Sequence, residues 1–257
     1  MRVFKGKHAE ICKLISEGKI EHALQRLYAF FRSEDNTDSY SIELLTILRE
    51  LLEDGDSDAL GRMRIRMRSS GDKVMINLAQ FMAALHDGGK TAEAELLSER
   101  CLSEMPRFVR SIRAYVDEEG MSQTCVMAGM RIHEALRIWM SILPKTDESR
   151  ETLIISSLEV TELLLSDKPN LVSLDKVEVA KVAENKGDKE KQLSLCRELV
   201  HAYGEIVDRV AASEEFNRED YETVDSLKYA YQVLNDADSN DLYAEKLAKI
   251  GQILDEK

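Results

Sequence analysis

Apolar residues return every three or four positions along nearly the whole chain, and only three prolines, Pro106, Pro144 and Pro169, interrupt them. That period marks helices that bury one face. The stretch "AEICKLISEG" sets Ile11, Leu14 and Ile15 on one side and stops at Gly18. "KIEHALQRLYAFF" follows with Ile20, Ala23, Leu24, Leu27 and Phe31, and "SIELLTILRELLED" with Leu44, Leu45, Leu48, Leu51 and Leu52. "DKVMINLAQFMAALHDGG" closes at Gly88-Gly89, and "KTAEAELLSERCLSEMP" runs to Pro106, where a second helix is expected to end. Further amphipathic segments cover about 107–117, 121–143, 147–166, 173–186, 188–212, 218–235 and 240–254, with Asp188, Asn217 and Asn240 at N-cap positions. No strand pair emerges. The chain is expected to be all-α, an array of about a dozen antiparallel helices with short links.

Charge is unevenly placed. Residues 1–60 carry 8 basic and 12 acidic side chains, residues 61–150 carry 14 and 12, and residues 151–257 carry 13 and 24. Phosphate binding needs clustered cations, so only the middle could serve nucleic acid, and the acidic remainder argues against it. The acidity rises near "SDKPNLVS" at 166–173. This suggests an N-terminal array over 1–166 with a basic, Met-rich middle and acidic hairpins over 170–257, or one continuous domain. The N-terminal "MRVFKGKHAE" has no apolar core of a signal peptide, and no run approaches a membrane span. Cys12, Cys101, Cys125 and Cys196 lie far apart, as buried thiols in a reducing cytoplasm would.

One segment follows a repeat pattern. Between residues 75 and 106, Gly89 precedes Ala94 by five positions, Pro106 lies twelve beyond Ala94, and Leu78, Leu85 and Cys101 take the large, large and small places of a hairpin. This resembles a tetratricopeptide repeat, which implies stacked helix pairs and a binding surface for another protein. Met82 stands where that family has a small residue. Weaker echoes surround Gly18, with Ala23, and Gly187, with Ala180; there Ile11, Phe30, Gln192 and Leu199 replace small residues. Separately, "KLISEGKIEHALQRL" and the leucine-rich helices after it resemble the small death-like helical modules of bacterial conflict systems. That resemblance implies an adaptor, inhibitor or substrate in a defence or signalling pathway.

No sequence pattern discloses catalysis. Glu198 and His201 form one E-x-x-H, but a di-metal site of the ferritin kind needs two with further glutamates. "HDGGK" at 86–90 lacks the first glycine and the strand of a phosphate loop. The expectation is a non-enzymatic protein with no cofactor or metal.

A partner surface is the better reading. Apart from Met1, all nine methionines fall between Met63 and Met140, and methionine suits surfaces that must adapt to a partner. "GRMRIRMRSS" alternates Arg62, Arg64, Arg66 and Arg68 with apolar residues, yet Leu60, Met63 and Met67 also share a helical stripe, and no partner strand is in sight. Arg107, Arg110 and Arg113 add a second basic face. The expected binding surface therefore comprises Arg62, Arg64, Arg66, Arg68, Met82, Arg107, Phe108, Arg110, Arg113 and Trp139. A protein or peptide is its expected partner, and nucleic-acid binding through residues 61–113 is the alternative. The arginines could instead pair internally with "EDGDSD" or the acidic C-terminal third.

Overall fold

A computed structural model describes residues 5–19, 21–23, 25–26, 29, 46, 67–143, 148–213 and 217–255. Among them all regular structure is helical. The elements are α1 (Lys5–Ser16), α2 (Met67–Asp87), α3 (Thr91–Glu119), α4 (Gln123–Ile142), α5 (Glu148–Leu164), α6 (Pro169–Asn185), α7 (Lys189–Tyr203), α8 (Glu205–Ala211), α9 (Arg218–Asp238) and α10 (Asp241–Asp255). Contacts divide the chain into two compact units, Met1–Leu153 and Ile154–Lys257, and the division falls inside α5. Pro169, where the composition shifts, is the first residue of α6, a place where a missing N–H costs nothing.

Three turns share one design. Gly18, Gly89 and Gly187 have φ of 72°, 82° and 74°, the left-handed conformation that glycine adopts without a Cβ penalty. The residue after each glycine donates its N–H five residues back, Lys19 to Leu14, Lys90 to Leu85 and Asp188 to Ala183, at 2.8 to 2.9 Å. This is the Schellman closure, which satisfies carbonyls that the helix end leaves open. The same spacing then sets the packing. Seven residues before each glycine lie Ile11, Met82 and Ala180, and five after lie Ala23, Ala94 and Gln192; all six are buried.

In the first unit α2 packs against α1, α3 and α4. Its largest fully buried side chains are Trp139, Phe81, Phe108, Ile11, Ile15, Met75 and Leu78. Gly88 is a close-approach position: a Cβ there would stand 2.9 Å from Ile15 Cγ2. In the second unit α6 packs against α7 and α9, α7 against α9, and α9 against α10. The first helix of one hairpin thus meets the first helix of the next, as stacked hairpins require.

Two boundaries differ from the expectation. Pro106 does not end its helix, because α3 continues through it to Glu119. Leu97, Cys101, Met105, Phe108 and Ile112 are all buried and form one stripe across the proline, while Pro106 itself is exposed. Burial of Phe108 and Ile112 outweighs the one backbone hydrogen bond that proline removes. The segment expected over 188–212 is broken at Gly204, where a Cβ would meet the Tyr231 hydroxyl at 2.8 Å. The break lets α9 bring Tyr231 against the backbone. The expected caps do form: Asp188 accepts from Lys191 N–H, Asn217 from Asp220 N–H and Asn240 from Leu242 N–H.

Candidate partner-binding surface

The expected surface residues separate into three groups. Arg62, Arg64 and Arg66 lie outside the described residues, as do the side chains of Arg68 and Arg107. Met82, Phe108 and Trp139 are buried, which corrects their assignment to a partner surface: they build the core of the first unit. Arg110 and Arg113 are exposed on α3 and make no ion pair among the described residues. The expected pairing of Arg62, Arg64, Arg66 and Arg68 with "EDGDSD" at 53–58 falls on residues or side chains outside those described.

Trp139 nonetheless positions the surface. Its indole N–H donates to Ser98 Oγ at 2.8 Å, both side chains being buried. Ser98 precedes the Gly120 turn by 22 residues and Trp139 follows it by 19, so the bond forms only if α3 and α4 run back antiparallel from that turn. Gly120 takes φ of 76°, and the Ser122 hydroxyl accepts from Cys125 N–H to start α4. Arg113 and Met127 then lie seven residues either side of Gly120, and Arg110 and Met130 ten either side. At 1.5 Å per residue Arg113 and Met127 lie about 10 Å along their helices from the turn, and Arg110 and Met130 about 15 Å; α3 and α4 each pack on α2 rather than closely on each other.

The methionines divide accordingly. Met75, Met82, Met105 and Met140 are core, whereas Met121, Met127 and Met130 are 49%, 50% and 41% exposed. Gln123, Met127, Met130 and Glu134 are exposed at spacings of four, three and four, a single stripe of α4. Arg110, Arg113 and Asp117 are exposed at the corresponding spacing on α3. Because α3 and α4 both pack on α2, the stripes are the faces they leave to solvent. Met127 and Met130 were absent from the expected site, although their signal was available: they share a helical face with Gln123 and Glu134, which core methionines do not.

Other candidate chemistry resolves into structure. Glu198 is held by Lys176 Nζ at 2.7 Å, and Lys176 also reaches Glu162 at 2.9 Å, so the carboxylate of the E-x-x-H is an ion-pair partner. Lys90 of the "HDGGK" turn lies 3.4 Å from Glu93, an ordinary first-turn pair. None of the four cysteines is in a disulfide; Cys101, Cys125 and Cys196 are buried, and burial pushes the Cys196 thiol up to about 11, which leaves it protonated and unreactive. Among the described residues no group of three or more His, Cys, Asp or Glu is placed to hold a metal ion. An open cleft of about 300 Å³ is lined by Glu10, Leu14, His22, Gln25, Arg26 and Ala29. Glu10 and Arg26 pair there at 3.0 Å and neutralise each other. No helix of the described residues is long and apolar enough to cross a membrane. No family model matches the chain, and neither any curated protein nor any solved structure is significantly similar to it.

Proposed function

We propose that the chain is a non-enzymatic protein–protein interaction module, built from tetratricopeptide-like helical hairpins, that binds through the outer face of the α3–α4 hairpin. The observation that carries this reading is the half-exposure of Met127 and Met130 on α4, with Arg110 and Arg113 exposed on α3 across the Gly120 turn. Solvated apolar side chains of this size are ordinary singly and informative when grouped. Methionine supplies pliable contact area, and each arginine offers a planar donor fork for a partner carboxylate. A few such anchors, of ~2 kcal/mol each, carry most of the affinity in many interfaces.

The test is affinity capture from the native host with the wild-type chain and with the M127E/M130E variant, scored for proteins retained by the first and lost from the second. Both positions are solvent-facing, so the variant is expected to keep its helicity and melting temperature. An unchanged captured set from a folded variant overturns the surface assignment.

A further inference from the structure

We propose that the α3–α4 face docks a second copy of this chain, through the acidic corner where α9 turns into α10. This rests on the surface reading above and names its occupant. The corner is the chemical complement of the face. Residues 236–245, "DADSNDLYAE", hold four acids and no base. At their centre Leu242, 55% exposed, is the most exposed large apolar side chain among the described residues. It sits in the first turn of α10, fixed there by the bond from its own N–H to Asn240 Oδ1 at 2.9 Å.

Among the described residues the acids around Leu242 are only partly neutralised. Arg197 approaches Asp238 no closer than 3.9 Å, and Lys249 holds Glu245 at 2.8 Å. Asp241 is exposed and has no cation within ion-pair range among the described residues. One copy therefore offers an exposed leucine near Asp238 and Asp241 in the chain, and another offers exposed Arg110 and Arg113 on α3 with exposed Met127 and Met130 on α4. Apolar meets apolar and carboxylate meets guanidinium, the arrangement that fixes register and steers encounter. The two surfaces differ, so each copy offers a face and presents a corner, and the contact forms either reciprocally or head to tail. The patches are small, so the association is weak and depends on salt.

The experiment is sedimentation of the full chain from about 10 µM to about 500 µM, a range suited to weak contacts. It is run at low salt and at about 0.5 M salt, where screening confines charge effects to a few ångström. Weight-average mass is expected to rise with concentration at low salt and fall towards the monomer at high salt. R110E/R113E alone and D238K/D241K alone are each expected to weaken association at least tenfold, because like charges then face each other. Mixing the two restores it, since each variant carries the complement the other lacks, and that rescue also shows both are folded. A wild-type chain that stays monomeric throughout, or a mixture that associates no better than its components, overturns the proposal. If the chain is monomeric while M127E/M130E still loses captured proteins, the occupant is another protein and the interaction-module reading stands.

Discussion

Gln192 of α7 donates its side-chain N–H to the Tyr229 hydroxyl of α9 at 3.0 Å, and that hydroxyl donates in turn to Glu184 of α6, also at 3.0 Å. Lys181 lies 5.1 Å from the centre of the same ring. The position five beyond the turn glycine, small in the other two hairpins, is here a buried amide whose burial is tolerated because the next hairpin supplies a polar partner. Y229F leaves the Gln192 amide without that partner and is expected to cost about 1–2 kcal/mol in urea unfolding. Q192L/Y229F is expected to cost less than the two single changes added together, by about 0.5 kcal/mol or more, because both remove one bond. Strict additivity in that cycle would show that the contact is not energetically coupled.

Alkaline pH should unfold the second unit earlier than an unperturbed tyrosine set would. Tyr229 and Tyr231 are each pushed up to about 12, first by burial, with Glu184 adding at Tyr229 and Asp208 at Tyr231. The folded state thus prefers the neutral phenol, whose pKa in the unfolded chain is about 10. Their contribution is complete below about pH 10 and disappears as pH rises towards 12. At Lys176 burial by itself lowers the pKa, but the ion pairs with Glu198 and Glu162 together outweigh it and raise the pKa, so its contribution is lost in the same direction. The urea midpoint is expected to fall through this window, and the fall should be shallower in Y229F. A midpoint flat from pH 9 to 12 would contradict the assignment.

The paired glycines of the α2–α3 turn do different work and should respond differently to alanine. Gly88 is crowded, with Ile15 Cγ2 at 2.9 Å from a built Cβ, whereas Gly89 has open space but φ of 82°. G89A is expected to cost about 1 kcal/mol of backbone strain whatever residue stands at position 15. G88A is expected to cost about 1–3 kcal/mol, as overpacking does. The second cost should shrink in an I15A background while the first does not, both read as melting temperatures.

Both sides of each turn were legible because glycine, and the helical period counted from it, report local geometry directly. The −7 and +5 positions around Gly18, Gly89 and Gly187 are buried as the hairpin pattern implies, even where Ile11, Met82 and Gln192 break its preference for small residues. The surface was less legible. Grouping nine methionines by their place in the chain could not separate Met82 from Met127; only the polar residues sharing the helical face of Met127 do so. Phe108 and Trp139 misled because a large aromatic serves a core and an interface by the same apolar area. Which of the two it serves depends on α2 packing across it, a contact between distant parts of the sequence.

Pro106 misled for an opposite reason: a local rule was overridden by packing. A proline in a helix interior removes one hydrogen bond and presses on the preceding turn, at a cost of about 3 kcal/mol in an isolated helix. Here the buried stripe on either side, Met105 before and Phe108 and Ile112 after, holds α3 together across it. Pro106 is exposed, so P106A removes no core contact and returns an N–H to the helix. It is therefore expected to stabilise the first unit by about 1–2 kcal/mol, less than the isolated-helix figure because the surroundings have already adapted to the proline. The chain's one tryptophan, Trp139 of α4, is buried against Ser98 of α3, so its fluorescence follows unfolding of that unit. A midpoint by tryptophan emission that drops in P106A would mean α3 does end at the proline.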